Sequence, residues 1–201
     1  MRGFWYNLYK VYALAGRHDI ESGQAWYHTA HEWAQNVADS HGLPLEKVVH
    51  VTAALSQNNK WENNMIDTEK VLTAWKYGIY DPKIIKTTTY HNAVRKALNI
   101  LDNDETATGA KVECFAHNIL HPGKDDEVVT VDQWAYRAWV WDTKATKKSL
   151  SRSLISRISE DYVTVARMVG HIPHEFQAIV WLVVRNAQYG LDNLWQQTVL
   201  L

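Results

Sequence analysis

Apolar side chains recur every three and four positions along most of the chain, and only four prolines and nine glycines interrupt them. That period follows the turn of a helix and not the alternation of a half-buried strand, so an all-α fold is expected. A first helix should cover about Phe4 to Ala15, and Ser22 should cap a second that runs to Ser40 and stops at His41-Gly42. The segment Leu45 to Leu55 is apolar on nearly every side and reads as a central, buried helix; it ends in the polar cluster Ser56-Gln57-Asn58-Asn59. Further helices are expected over Trp61 to Trp75 and along the stripe Tyr90, Val94, Ala97, Leu98 and Leu101, which Asp102-Asn103-Asp104 closes. Thr108-Gly109-Ala110-Lys111 opens the next, which ends at His121-Pro122-Gly123. Val128 to Val131 has β propensity but is short, so it reads as an extended approach to a helix beginning near Asp132. Ile158 to Val169 and Pro173 to Gln188 are the last two, with the basic run from Lys144 to Arg157 in the connection before them.

With 201 residues and 46% hydrophobic content the chain can bury a real core, and its length favours one domain, 1–201, or two lobes sharing a cleft. The apolar runs are too short to span a bilayer and the start Met1-Arg2-Gly3 lacks a secretory core, so a cytoplasmic protein with no membrane partner is expected. The single cysteine, Cys114, rules out an internal disulfide and reads as a small core residue. A formal charge of −1 does not suit a protein that coats nucleic acid nonspecifically, so any DNA binding must come from a local basic face. Most of the ten tryptophans should anchor the core or a lobe interface, leaving one or two to stack on a base.

Three short segments carry the chemistry: Leu55-Ser56-Gln57 at the end of the buried helix, Gly109-Ala110-Lys111 at a helix start, and Thr130-Val131-Asp132 before another. Their order, with Tyr90-His91-Asn92-Ala93 between the first two, Val131 to Arg137 following, and Pro173 to Arg185 as a last common helix, resembles the helix-hairpin-helix DNA glycosylase superfamily, especially endonuclease III-like enzymes. The resemblance covers about Val48 to Arg185. It implies a two-lobed bundle of about nine to ten helices and a partner in double-stranded DNA carrying a damaged or modified base. It also implies that the base is flipped out and excised, as in DNA repair, by an N-glycosylase with a possible lysine-dependent lyase step.

Within that resemblance, Asp132 is the carboxylate that would stabilise positive charge on the sugar and Lys111 the amine that would attack it as a Schiff-base nucleophile. Gln57 matches the wedge that fills the gap left by the flipped base, and Asn58 and Asn59 would support the opened strand. Gly109 would let backbone N–H groups approach a phosphate. Lys147, Lys148 and Arg152 are the best phosphate contacts in the basic run. The hairpin segment has one glycine, Trp134 stands where the family has a histidine, and one cysteine cannot hold an iron-sulfur cluster. No cofactor and no metal are expected: His28 and His31 lack the spacing of a zinc-binding helix.

Each residue has a plainer role as well. An aspartate before a helix is most often an N-cap, a lysine near a helix start is most often solvated, and Ser56 to Asn59 can simply end a helix. His117, His121, His171 and His174 flank helix ends and read as capping or solvated groups. Two other functions stay open: a base-hypermodifying enzyme of the same fold that transfers a group without excision, as in phage DNA, and a noncatalytic DNA-binding module.

Overall fold

A computed structural model describes residues 3–103 and 105–186; Asp104, Gln188 and Trp195 lie outside them. Among the described residues there are helices and no strand. In chain order they are α1 (Trp5–Ala13), α2 (Arg17–His41), α3 (Leu45–Leu55), α4 (Trp61–Lys76), α5 (His91–Asn103), α6 (Ala110–Leu120), α7 (Gln133–Val140), α8 (Arg152–Val169) and α9 (Pro173–Asn186). No helix among them is long and apolar enough to cross a membrane. The chain packs as two compact units. The central unit is residues 29–122, and the terminal unit joins residues 3–28 to residues 123–186, so the unit boundary falls inside α2.

The central unit is built around α3. Val48, Val49 and every residue from Val51 to Leu55 are buried, and α4, α5 and α6 all pack on it, as expected for a helix without a polar side. Helix α5 turns Ala93, Val94, Ala97, Leu98, Ile100 and Leu101 inward and leaves Arg95 and Lys96 exposed. Tyr90 departs from the expected stripe: it lies before the helix and is 59% exposed, because its hydroxyl serves a polar contact described below. Helix α4 packs a polar surface inward. Its Asn64 Nδ2 donates to Thr52 O at 3.1 Å and its Thr68 hydroxyl to Thr52 Oγ1 at 3.3 Å, which offsets part of the cost of burying them, while Asn64 Oδ1 stays buried without a partner.

The terminal unit packs α1, α7, α8 and α9 around Leu8, Val11, Trp139, Tyr162, Phe176 and Val180. Two helix starts differ from expectation. Helix α2 begins at Arg17, where Asp19 Oδ2 accepts the Gly16 N–H at 3.0 Å, so Ser22 is an interior residue and not the cap. Helix α8 begins at Arg152 because the Ser151 hydroxyl accepts the Leu154 N–H at 3.3 Å, which makes Arg152 and Arg157 helical and not part of a connection. Two burial expectations also change. Trp139 alone among the described tryptophans is buried, the others keeping an edge at the surface, and Cys114 is only half-buried. His174, expected to cap or be solvated, is 1% exposed and packs edge-on against Tyr27.

At Gly23, α2 passes close to α9. A Cβ built there would lie 2.4 Å from Ile179 Cγ1, 2.6 Å from Ile179 N and 2.7 Å from Ile179 Cα. Alanine would gain about 1 kcal/mol of helix propensity, against up to about 3 kcal/mol of overpacking, so Gly23→Ala should destabilise by about 2 kcal/mol. Urea unfolding measures this. Adding Ile179→Ala should give no rescue, since two of the three clashing atoms are backbone; rescue would show that the helices separate easily.

Candidate nucleic-acid site

The central unit brings together two of the segments that the sequence singles out. Ser56 is buried at the end of α3, and Lys111, in the first turn of α6, reaches it: Nζ donates to Ser56 O at 3.3 Å and to Ser56 Oγ at 3.4 Å. The ammonium is thus fixed beside the turn that holds Gln57, Asn58 and Asn59. Asn58 has φ of 52°, a left-handed conformation that asparagine takes more readily than most residues, and its Nδ2 donates to the Tyr90 hydroxyl at 3.1 Å. The Thr89 hydroxyl donates to Gln57 O at 3.1 Å, and the Thr88 hydroxyl oxygen lies 2.9 Å from Asn59 Oδ1. Residues 56–59 are therefore held from α6 on one side and from residues 88–90 on another.

Asp67 organises this turn, and sequence reasoning missed it. Its carboxylate is fully buried in α4. Oδ2 accepts from Asn59 Nδ2 at 3.0 Å, from the Thr88 hydroxyl at 2.7 Å and from the Thr88 N–H at 2.9 Å, while Oδ1 takes the same N–H at 3.1 Å. All of its donors are neutral. An acidic residue on the inward side of a helix is the signal that could have found it, since such a group must be satisfied internally.

Gln57 lines a recess of about 60 Å³ with Lys96, Thr106 and Thr108. That is room for a few waters and well short of the few hundred Å³ that a base-sized ligand needs. The central unit's larger hollow, about 580 Å³, is an apolar groove along Ile66, Tyr77, Ile79 and Ile84 that shares no lining residue with the candidate set. Gly109 has φ of 118° and precedes α6, where glycine is needed. Its N–H donates to Glu113 Oε1 at 2.8 Å, so the amide that a phosphate would use is held by a carboxylate.

In the terminal unit, Val129, Thr130 and Val131 form the expected buried, extended approach, and Asp132 is the N-cap of α7. Oδ1 accepts the Trp134 and Ala135 N–H groups, both at 2.9 Å. The plain capping role is thus present, and it sets the carboxylate at the positive end of a helix, where negative charge is favoured. Behind it Tyr162 is fully buried, with its hydroxyl donating to Ala135 O at 3.4 Å. Burial first, and the negative charge of Asp132 second, hold that phenol well above a tyrosine's ordinary range.

The next residue, Gln133, grips the basic loop. Its Nε2 donates to Lys147 O at 2.6 Å, and its Oε1 accepts the Lys147 N–H at 3.1 Å. Arg137 adds a second tie through Nε to Ala145 O at 3.0 Å. Lys147, Lys148 and Arg152 are all exposed. The loop is therefore fastened by its backbone while its lysine side chains stay in solvent. No sequence spacing signals a two-way amide clamp across 14 residues, so Gln133 escaped notice. Lys111 and Asp132 belong to different units, and the geometry of each is that of its own unit.

No curated protein and no solved structure matches the chain. Residues 1–188 match the family described as "Family of unknown function (DUF7178)", a span that contains every described residue. The protein is a member of that family, DUF7178.

Proposed function

We propose that this protein acts on double-stranded DNA as a base-excision enzyme of the helix-hairpin-helix glycosylase kind, releasing a damaged or modified base and using Lys111 for a lyase step. The observation that carries the reading is the start of α7, where a capped, fixed Asp132 precedes the glutamine that fastens Lys147 and its loop. A carboxylate held by two backbone N–H groups does not need to reorganise as positive charge grows on a sugar, and nearby lysines suit the phosphates on either side. Lys111, held at Ser56 near Gln57 and Asn59, supplies an amine in a fixed position.

The chemistry sets the test. As the glycosidic bond breaks, the bonding pair leaves with the base, which takes up a proton; the deprotonated Lys111 amine bonds to sugar C1′, the C1′–O4′ bond then opens with its pair going to O4′, which takes the proton that the nitrogen loses, and borohydride reduces the resulting imine to a stable amine. Duplexes with oxidised, alkylated or phage-type modified bases should give free base by mass spectrometry and, after reduction, a covalent adduct. Lys111→Gln should bring the adduct to background; full adduct formation in that variant removes the lysine from the mechanism. A heavier nucleoside with no free base would mean transfer onto the base, and binding without any product would mean a noncatalytic module.

A further inference from the structure

Beside the lysine loop that the excision reading uses, α1, α7 and α8 carry a cluster that it does not use, Lys10, Arg137 and Arg157 among aromatic rings. Between residues 132 and 161 there are six lysines and arginines and four carboxylates, Asp132, Asp142, Glu160 and Asp161, the last accepting the Trp139 Nε1–H at 2.7 Å, and residues 3–15 add Lys10 and no acid, in a chain whose formal net charge is −1. Aromatic rings are interleaved with these cations. Phe4 stacks on Trp139 with centroids 4.1 Å apart, and the Arg157 guanidinium lies 5.6 Å from the Phe4 centroid and 5.5 Å from that of Trp139. Lys10 Nζ sits 3.8 Å over the Trp141 ring, and Arg137 lies 4.6 Å over Trp134. Asn7 Nδ2 donates to Trp139 O at 2.9 Å, which fixes α1 against α7. Phe4 and Tyr9 are each 41% exposed.

Among the described residues, Lys10, Arg137 and Arg157 make no ion pair with a carboxylate. A ring face orients a cation without neutralising it, so these charges remain available to an anionic partner. We propose that this aromatic and cationic face binds single-stranded DNA, the exposed Phe4 and Tyr9 rings stacking on unpaired bases while Lys10 and Arg157 take phosphates. An acidic protein would match the charge and leave the rings unused, whereas a duplex hides its base faces within the stack. The choice of DNA over RNA rests on the function proposed above.

The test uses the whole chain and fluorescence anisotropy with a labelled mixed-sequence DNA strand of about 16 nucleotides, the upper end of a single such site. The strand should bind at least tenfold more tightly than a duplex of the same length and should quench tryptophan fluorescence. Arg157→Glu and Lys10→Glu should each weaken binding about tenfold and flatten the salt dependence by roughly 0.7 per lost phosphate contact. Phe4→Ala should weaken binding about fivefold with the salt dependence unchanged, because stacking releases no counterions. Far-UV circular dichroism checks that each variant is folded. Equal or tighter binding of the duplex or of RNA overturns the proposal. So does binding to phosphatidylserine vesicles but not to the strand, or parental affinity in both Arg157→Glu and Phe4→Ala. Strand binding without base release would sink the excision reading alone, and base release without strand binding would sink this inference alone.

Discussion

Asp132→Asn is expected to fold like the parent and to lose base release by about a thousandfold, roughly 4 kcal/mol of transition-state stabilisation. Asparagine keeps the Oδ1 acceptor that takes the Trp134 and Ala135 N–H groups, and it caps helices about as well as aspartate. Only the charge is lost, and at a helix N-terminus that should cost the fold less than about 1 kcal/mol. Asp132→Ala removes the cap as well, for about 1 kcal/mol more. The two variants should therefore be equally inactive but differ in urea midpoint. Single-turnover release of free base, measured beside unfolding, separates the two roles. If Asp132→Asn stays within about threefold of the parent while Asp132→Ala falls with its stability, Asp132 is a cap and nothing more.

That separation was not accessible from the sequence, because the same Thr-Val-Asp pattern specifies both roles. Helix type was readable: the apolar stripe of α5 reflects its burial on α3, and α3 itself, covered by α4, α5 and α6, is apolar nearly all round. Helix starts were less readable because short polar side chains compete for them. Ser22 looked like a cap, yet Asp19 reaches back to Gly16 and begins α2 earlier. At α8 the basic run masked the Leu154, Ile155 and Ile158 pattern behind the Ser151 cap.

The candidate site divides in the same way. Lys111, Gln57, Asn58 and Asn59 stood out because they lie in contiguous motifs, and the structure brings all four to the end of α3. The groups that hold them do not lie in those motifs. Asp67 is eight residues from Asn59 and 21 from Thr88, and Gln133 is 14 from Lys147; tertiary packing sets these contacts and leaves no periodic trace. A glycine at position 109 likewise suggested an open phosphate cradle, whereas the Glu113 carboxylate that occupies its N–H sits one helical turn on, where only geometry shows it turned back.

Asp67→Ala should be the most destabilising of these substitutions, by about 3 kcal/mol. The carboxylate is fully buried and accepts from Asn59 Nδ2, the Thr88 hydroxyl and the Thr88 N–H. Hydrogen bonds to a charged group contribute about 1.5 kcal/mol or more each, and at least two of these donors have no ready substitute once the acceptor is gone. Alanine also leaves a space beside Asn59, so water entering there will recover part of the loss, which keeps the figure near 3 and not at the sum of all the bonds. Asp67→Asn is the sharper variant. With its oxygen in the Oδ2 position it still accepts from Asn59, the Thr88 hydroxyl and the Thr88 N–H at 2.9 Å, but the charge is lost and its NH₂ replaces Oδ1, 3.1 Å from that same N–H. About half the destabilisation of alanine should result. Amide hydrogen exchange should then show faster exchange at Thr88 in both variants, with the α5 amides less affected. A urea midpoint for Asp67→Ala within about 0.5 kcal/mol of the parent would mean that solvent replaces these bonds at no cost, and Asp67 would lose its place as the group that fixes Asn59 beside Lys111.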